Sequence, residues 1–599
     1  MQKRLTTCFL LAATCVLAQR GGGGGGGANP PVVSLKTVAV PKPTGLDQYV
    51  QSQDALVALG KTLFWDMQVG SDGRTACATC HFHAGADHRL NNQLSGAAAT
   101  INTQLTAADF PFHQLSNPNN NNSAIVRDTR MVAGSMGVVE KTFLNITLGS
   151  ITDGASTMSF TSPFQPDGVH VRQVTSRNSP SVINAVYNVR NFWDGRASNI
   201  FTGATPFGDS DTGLHAVAYR NGVLEREAVR IDNASLASQA VGPALNAVEM
   251  SWAGRTWERL AHKLLGLRPL GRQKVALDDS VLGAMANPNG NGLRDDVNYP
   301  AMIRAAIRSE YWSAPNPATG ANQMEKNFGL IWGLAIQAYE STLVANDSRV
   351  DQFLEGRTAA LTALEVQGLQ EFRNGRAQCT NCHNGGELSA AGFTNLARRN
   401  GNVATANNAG FFRIGVTPIA EDAGIGGQDD FGVPLLPQQA GARGTFKVPG
   451  LRNVEFTGPY FHNGGQATLE QVVQFYARNG DFPAGGNLGP GIGAIRLGQG
   501  DQTSLVAFLK ALSDDRVRFQ QAPFDHPSLC VPNGHAQTEA GVLTIDPQQE
   551  GLVAMDKWAL VPEVGRGGLT VPLQTFEELL AGIGNDGTRA NTMTQSCAP

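Results

Sequence analysis

What this chain lacks narrows it before any motif is weighed. It carries no surplus of positive charge: 46 Lys and Arg against 50 Asp and Glu leave a formal −4 over 599 residues. Nothing in that balance points to nucleic acid or favours another polyionic partner. It also lacks an apolar run long enough to span a bilayer. The run Leu5 to Ala18, behind Met1-Gln-Lys-Arg, falls short of the roughly 20 residues a membrane helix needs. It reads instead as a secretory signal cleaved after Val16-Leu-Ala18. A lipid anchor at Cys15 is the lesser reading, because Thr14 stands where a smaller residue is usual. Methionine is missing from Met324 to Met555, and no internal repeat stands out beyond one short motif. Cysteine is sparse, with eight in all.

That motif is the pentapeptide C-x-x-C-H, present as Cys77-Ala-Thr-Cys80-His81 and again as Cys379-Thr-Asn-Cys382-His383. Two thiols at this spacing bond the vinyl groups of a haem, and the adjacent imidazole ligates its iron from one side. Zinc would want four clustered ligands, and a redox dithiol gives no reason for a following histidine at both sites. The expectation is two covalently bound haem c groups, with proximal ligands His81 and His383. Haem is attached to such cytochromes outside the cytoplasm, in keeping with an exported, periplasmic or secreted protein. With two cysteines in the signal and four on haem, Cys530 and Cys597 remain to pair as a disulfide in an oxidising compartment.

The chain divides by composition. After the signal (1–18) comes a Gly- and Pro-rich linker (19–45) that includes the seven-glycine run Gly21 to Gly27. An N-terminal haem domain is expected over 46–360. It opens with helical spacing at Leu56, Leu59, Leu63 and Phe64. Insertions at about 85–164 and 201–232 interrupt it; the first is rich in Asn, Ser, Thr and Gly and reads as loop rather than core. Phe328, Ile331, Leu334, Ala335 and Ala338 make an apolar helix face. A C-terminal haem domain follows over 361–515, with helices expected at Leu361 to Phe372, Leu469 to Ala477 and Gln502 to Leu512. An extension, 516–599, closes the chain. The fold class is mainly α: two cytochrome c-like helical haem domains with long loop-rich insertions and a C-terminal extension.

Three further stretches fall in a recognisable order around the two motifs. They are Arg177-Asn-Ser-Pro-Ser-Val-Ile-Asn-Ala-Val-Tyr-Asn, Phe192-Trp-Asp-Gly-Arg-Ala, and Val448-Pro-Gly-Leu-Arg-Asn through Gly458-Pro-Tyr-Phe-His-Asn-Gly-Gly. With these, residues 46 to 515 resemble the bacterial diheme cytochrome c peroxidase and MauG family. The resemblance implies that Trp193 lies between the haems and relays electrons. It implies that Gln239 and Glu249, ten residues apart, stand over the peroxide-binding haem as the acid–base pair. It makes His170, 23 residues before Trp193, the displaceable ligand of that iron. Asn178, Thr457 and Pro459 would form an interdomain Ca2+ site, mainly through carbonyl oxygens.

At the second haem the chain departs from typical peroxidases. The position that carries their methionine ligand falls on Tyr476, fourteen residues after His462, and MauG-type members carry tyrosine there. A phenolate oxygen would favour the oxidised iron and lower its potential; a tyrosine packed on the haem edge is the alternative. His462 is read as lying behind that haem rather than on it. Asn287 to Asp296 reads as an exposed turn, since it lacks the acidic first ligand and closing Glu of a calcium loop. His83 and His88 are read as polar groups near a propionate or solvent.

The leading expectation is an exported peroxidase that reduces H2O2 to water. Electrons would come from a small donor protein, a c-type cytochrome or a cupredoxin, through the C-terminal haem. A MauG-like oxidase is the first rival, supported by Tyr476 and opposed by His170. An oxygenase like the diheme rubber-cleaving enzymes is opposed by Gln239 and Glu249, and a non-enzymatic electron carrier needs both irons inert to peroxide. The resemblance also allows a homodimer.

Overall fold

In the computed structural model the described residues are 29–91, 93–95, 104–157, 163–395, 410–422, 424, 443–484, 488–590 and 596–597. The expected signal and the seven-glycine run lie outside them. Six helices position the site: α1 (Gln53–Trp65), α2 (Ser235–Ala240), α3 (Phe328–Glu340), α4 (Ala363–Arg373), α5 (Leu469–Ala477) and α6 (Gln499–Lys510).

Each C-x-x-C-H motif follows a helix that crosses a later one at a glycine. Ser52 starts α1 by accepting the Ala55 N–H at 3.3 Å. The Thr362 hydroxyl and Glu365 carboxylate do the same for α4 as a capping box, at 3.3 and 2.8 Å. On α1, Gly60 lies so close to α3 that a β-carbon would overlap the Ala335 carbonyl. On α4, Gly368 meets the Ser504 carbonyl of α6 in the same way. Only a residue without a side chain permits that approach of two helix backbones. α3 is apolar save for Gln337 and Glu340, and every residue in it is buried, as expected of a helix at the centre of a core. One core gathers around α1 and α3 (Leu59, Leu63, Ile331, Trp332), and a second around α4 and α6 (Leu369, Phe372, Leu505, Phe508).

The rest differs from the sequence reading in two ways. The stretches read as loops contain short two-stranded antiparallel sheets. One pairs β1 (Met136–Val139) with β2 (Arg172–Val174), and the extension contributes β3 (Leu529–His535) paired with β4 (Asp556–Val561). Strands of three to seven residues carry too few alternations to register as a pattern. The first insertion also has a core of its own. Phe110 and Phe112 pack with Ala133, with Ala467 of the C-terminal half and with Phe576 of the extension. These apolar residues lie far apart in the chain and find one another only in three dimensions.

Cys530 and Cys597 are disulfide-bonded, with Cα atoms 6.1 Å apart, as the cysteine arithmetic anticipates. The bond ties the chain end to β3. Removing it in a Cys530→Ser/Cys597→Ser variant should cost about 2–4 kcal/mol. The check is a fall in the thermal midpoint, with haem absorbance unchanged at room temperature.

Candidate active site

The first motif forms a single turn of 3-10 helix, Cys77–Cys80. His81 follows it with Nδ1 2.9 Å from the Gly85 carbonyl, which fixes Nδ1 as the protonated nitrogen and leaves Nε2 free. Burial pushes the imidazole pKa down, against a smaller opposing effect of the Gly85 carbonyl, so the ring is neutral and able to ligate metal. Burial also pushes the Cys80 thiol up to about 12 and Cys77 well above its ordinary value. Neither cysteine is in a disulfide.

These residues line a cavity of about 410 Å³ together with Trp193, Gln239, Pro243 and Glu249. Gln239 comes from the last turn of α2. Glu249 sits in a turn whose N–H groups are gathered by Asn246, whose side-chain oxygen accepts from Val248 at 2.8 Å and Glu249 at 3.2 Å. β1 presses on the same turn: Val138 N–H donates to the Glu249 carbonyl at 3.2 Å, and a β-carbon on Gly137 would overlap the Val248 carbonyl. The backbone of Glu249 is therefore held from two sides.

One cavity group escaped the sequence reading. Glu340, at the end of α3, also lines this space. It is only 1% exposed, and one carboxyl oxygen has no hydrogen-bond partner. Burial pushes its pKa up to about 8. A lone glutamate closing a helix whose other residues are apolar except for Gln337 was the available signal. Because the folded pKa lies above the unfolded one, the native state holds this proton more tightly. Its stabilising contribution is whole below about pH 4.5 and is lost as pH rises towards 8. Glu340→Gln should abolish that loss, up to about 5 kcal/mol. Thermal unfolding of both proteins at pH 5 and pH 8 measures it, with the larger fall expected for wild type.

Trp193 borders both this cavity and a smaller one of about 120 Å³. Its indole N–H donates to the Asn178 carbonyl at 2.8 Å, and its own carbonyl accepts from Lys447 N–H at 2.7 Å. On the C-terminal side its ring meets His462 edge-on at 6.2 Å, and His462 stacks on Phe446 at 3.7 Å. Next to it, Asp194 is gripped by Arg177 at 2.7 Å and Arg196 at 2.9 Å. Burial alone would raise this carboxyl, but Arg196 and Arg177 hold it below the usual range. Arg177 continues to Asp422 at 2.7 Å, so ion pairs join the two halves around Trp193.

Asn178, Thr457 and Pro459 all line the smaller cavity, together with Glu387 and Lys447. The Asn178 amide donates to the Pro459 carbonyl at 3.0 Å. Among the described residues no group of three or more His, Cys, Asp or Glu could hold a metal ion; a site built on carbonyl oxygens would not contain one.

The second motif repeats the geometry of the first. His383 Nδ1 lies 3.1 Å from the Leu388 carbonyl, and burial pushes its pKa down to about 4. Tyr476, on α5, faces Phe461 and Phe475 at ring distances of 6.1 and 5.3 Å. Burial first, then the neighbouring Cys382 and Cys379, push its phenol up; a cationic centre at this point would act in the opposite direction. At both motifs, thiols outside any disulfide and a neutral imidazole beside them fit a haem attached through thioethers. His462 is directed elsewhere, towards Thr417 at 3.3 Å.

The structure does not bring His170 to this site. It is not among the residues lining the cavity. Its backbone forms a parallel bridge with Val553 of the extension, with hydrogen bonds to Leu552 and Ala554 of 2.7 and 2.8 Å. Two residues on, at the start of β2, Arg172 pairs with Asp72 at 3.0 Å and Asp556 at 2.9 Å. His83 and His88 are both buried and stacked on each other at 3.6 Å, so of their two expected surroundings solvent is excluded.

Residues 54–359 match the family of di-haem cytochrome c peroxidases. The chain belongs to this family, whose members are oxidoreductases with haem c cofactors. It is 27% identical over 345 residues to the cytochrome c peroxidase Ccp of Escherichia coli, covering 57% of this chain and 49% of that protein. It is 26% identical over 351 residues to the cytochrome c551 peroxidase of Pseudomonas aeruginosa, covering 59% and 68%. The chain thus spans about half of the first relative and about two thirds of the second. Among solved structures it is similar to the diheme peroxidase BthA from Burkholderia thailandensis, at 21% identity, a TM-score of 0.39, and 83% and 94% coverage. Among the described residues no helix is long and apolar enough to cross a membrane.

Proposed function

We propose that this protein is an exported di-haem peroxidase that reduces H2O2 to water with electrons from a small donor protein, a c-type cytochrome or cupredoxin. The observation that carries this reading is the single cavity that joins Cys77, Cys80 and His81 to Gln239, Glu249 and Trp193. Cys77 and Cys80 would hold one haem with His81 on its iron, and Cys379, Cys382 and His383 the other. Haem bound there supplies an iron that accepts peroxide and exchanges electrons. The protein's part is to move protons and orient the reactants. The Glu249 carboxylate takes the proton from the near peroxide oxygen and returns it to the departing one, and the Gln239 amide steadies the charge between them. Trp193, which lines this cavity and meets His462 edge-on at 6.2 Å, would relay electrons between the two motifs. Tyr476 is assigned to the second iron, and a Ca2+ at Asn178, Thr457 and Pro459 would stiffen the junction beside Trp193.

A MauG-like oxidase is the second reading, favoured by Tyr476 beside the second motif and by a cavity lining that does not include His170. One experiment separates the two. The half-reduced protein is mixed with H2O2 and a reduced c-type cytochrome, and donor oxidation is followed spectrally. Rapid donor turnover is expected; a long-lived oxidised spectrum without turnover would favour the oxidase, and no reaction would exclude both.

A further inference from the structure

Helix α1 ends in Phe64 and Trp65 on the His81 side of the cavity. Phe64 lines that cavity, with its ring 6.4 Å from the imidazole of His81. Trp65 lies 5.9 Å from Phe64, and Tyr339 of α3 lies 5.4 Å from it. The Trp65 indole N–H donates to the Tyr339 hydroxyl at 3.0 Å. The indole also stacks on His526 of the extension at 4.5 Å and 8°. Phe64, Trp65, Tyr339 and His526 are all buried. None belongs to the acid–base pair or to the junction around Trp193.

We propose that Trp65, hydrogen-bonded to Tyr339, is a second redox-active residue that donates an electron to the peroxide-oxidised N-terminal centre from its His81 side. This rests on the peroxidase reading above. Indole and phenol are the most readily oxidised of the aromatic side chains, and here they meet in an unbroken series of ring contacts leading to His81. The hydrogen bond from the indole nitrogen lets Trp65 lose an electron while sharing its proton with Tyr339. Burial pushes His526 down to about 4, so at neutral pH its ring is uncharged and does not oppose a positive charge on the indole. The extension that supplies His526 shields the indole from water.

The step balances. Reduction of one H2O2 to two waters takes two electrons and two protons. With no donor protein present, Trp65 supplies one electron and is left as the indole radical cation, its N–H retained; the haem iron supplies the other, and the protons come from solvent.

The test is freeze-quenched electron paramagnetic resonance of the haem-loaded protein mixed with H2O2 in the absence of donor. The protein is prepared with ordinary and with ring-deuterated tryptophan. An organic radical signal narrowed by deuteration is expected, retained in Trp193→Phe and lost in Trp65→Phe. Tyr339→Phe should alter its hyperfine pattern, because the indole N–H loses its acceptor. A signal insensitive to deuteration, one that survives Trp65→Phe, or one that vanishes in Trp193→Phe would overturn the proposal; the labelling and the Trp193 variant decide this even if Trp65→Phe fails to fold. If H2O2 leaves the haem spectrum unchanged, the peroxidase reading itself falls and the inference falls with it.

Discussion

Glu249→Gln should lower kcat/KM for H2O2 by about 10²–10⁴-fold, the range typical of a lost general acid–base group. The substitution keeps the size and shape of the side chain and removes only its ability to carry a proton. The turn beneath it is held by Asn246 and by the close approach of Gly137, so the amide should occupy the carboxylate's place. The loss is therefore expected in the peroxide step and not in haem loading, with the absorbance of both haems retained. Stopped-flow mixing across pH 5–9 separates the contributions. The variant should be slow at every pH in that range. A variant as fast as wild type would move the proton transfer elsewhere, with Glu340 the next group in the cavity to test.

Trp193→Phe should slow donor-supported turnover by at least ~10-fold, about 1.4 kcal/mol of barrier, while the first reaction with peroxide proceeds normally. Phenylalanine keeps an aromatic ring at the junction but is far harder to oxidise, and it cannot donate to the Asn178 carbonyl as the indole does at 2.8 Å. The two phases are read separately: single-turnover peroxide consumption should be unchanged, and re-reduction by the donor slowed. Loss of both phases would mean that Trp193 holds the two halves together rather than conducting. Its ion-paired surroundings make that the competing role.

How much of this was readable from the chain follows from the range of each signal. The two pentapeptides are contiguous, and each finds its histidine partner a few residues on, His81 at Gly85 and His383 at Leu388. Their chemistry was therefore readable without a fold. The helices leading to them were readable as well, because apolar spacing and caps act within a few residues. Cys530 and Cys597 were matched by elimination, since thiols are few enough to count.

The remaining features depend on residues hundreds of positions apart. The extension was read as a tail, yet it lies against Trp65 through His526 and against the backbone of His170 through Val553. Spacing from Trp193 suggested that His170 would reach the iron; in the fold its backbone pairs with residues 552–554 and it is not among the residues lining the cavity. Glu340 became a raised-pKa cavity acid only because α3 is enclosed on every side. Sequence by itself determined which chemical groups this protein carries and the family to which it belongs, since bonding haem is a property of a five-residue segment. Tertiary structure alone decided which groups share the cavity, which are kept from it, and which aromatic rings touch. Desolvation and ring contact depend on what the whole chain brings together, and no local pattern encodes them.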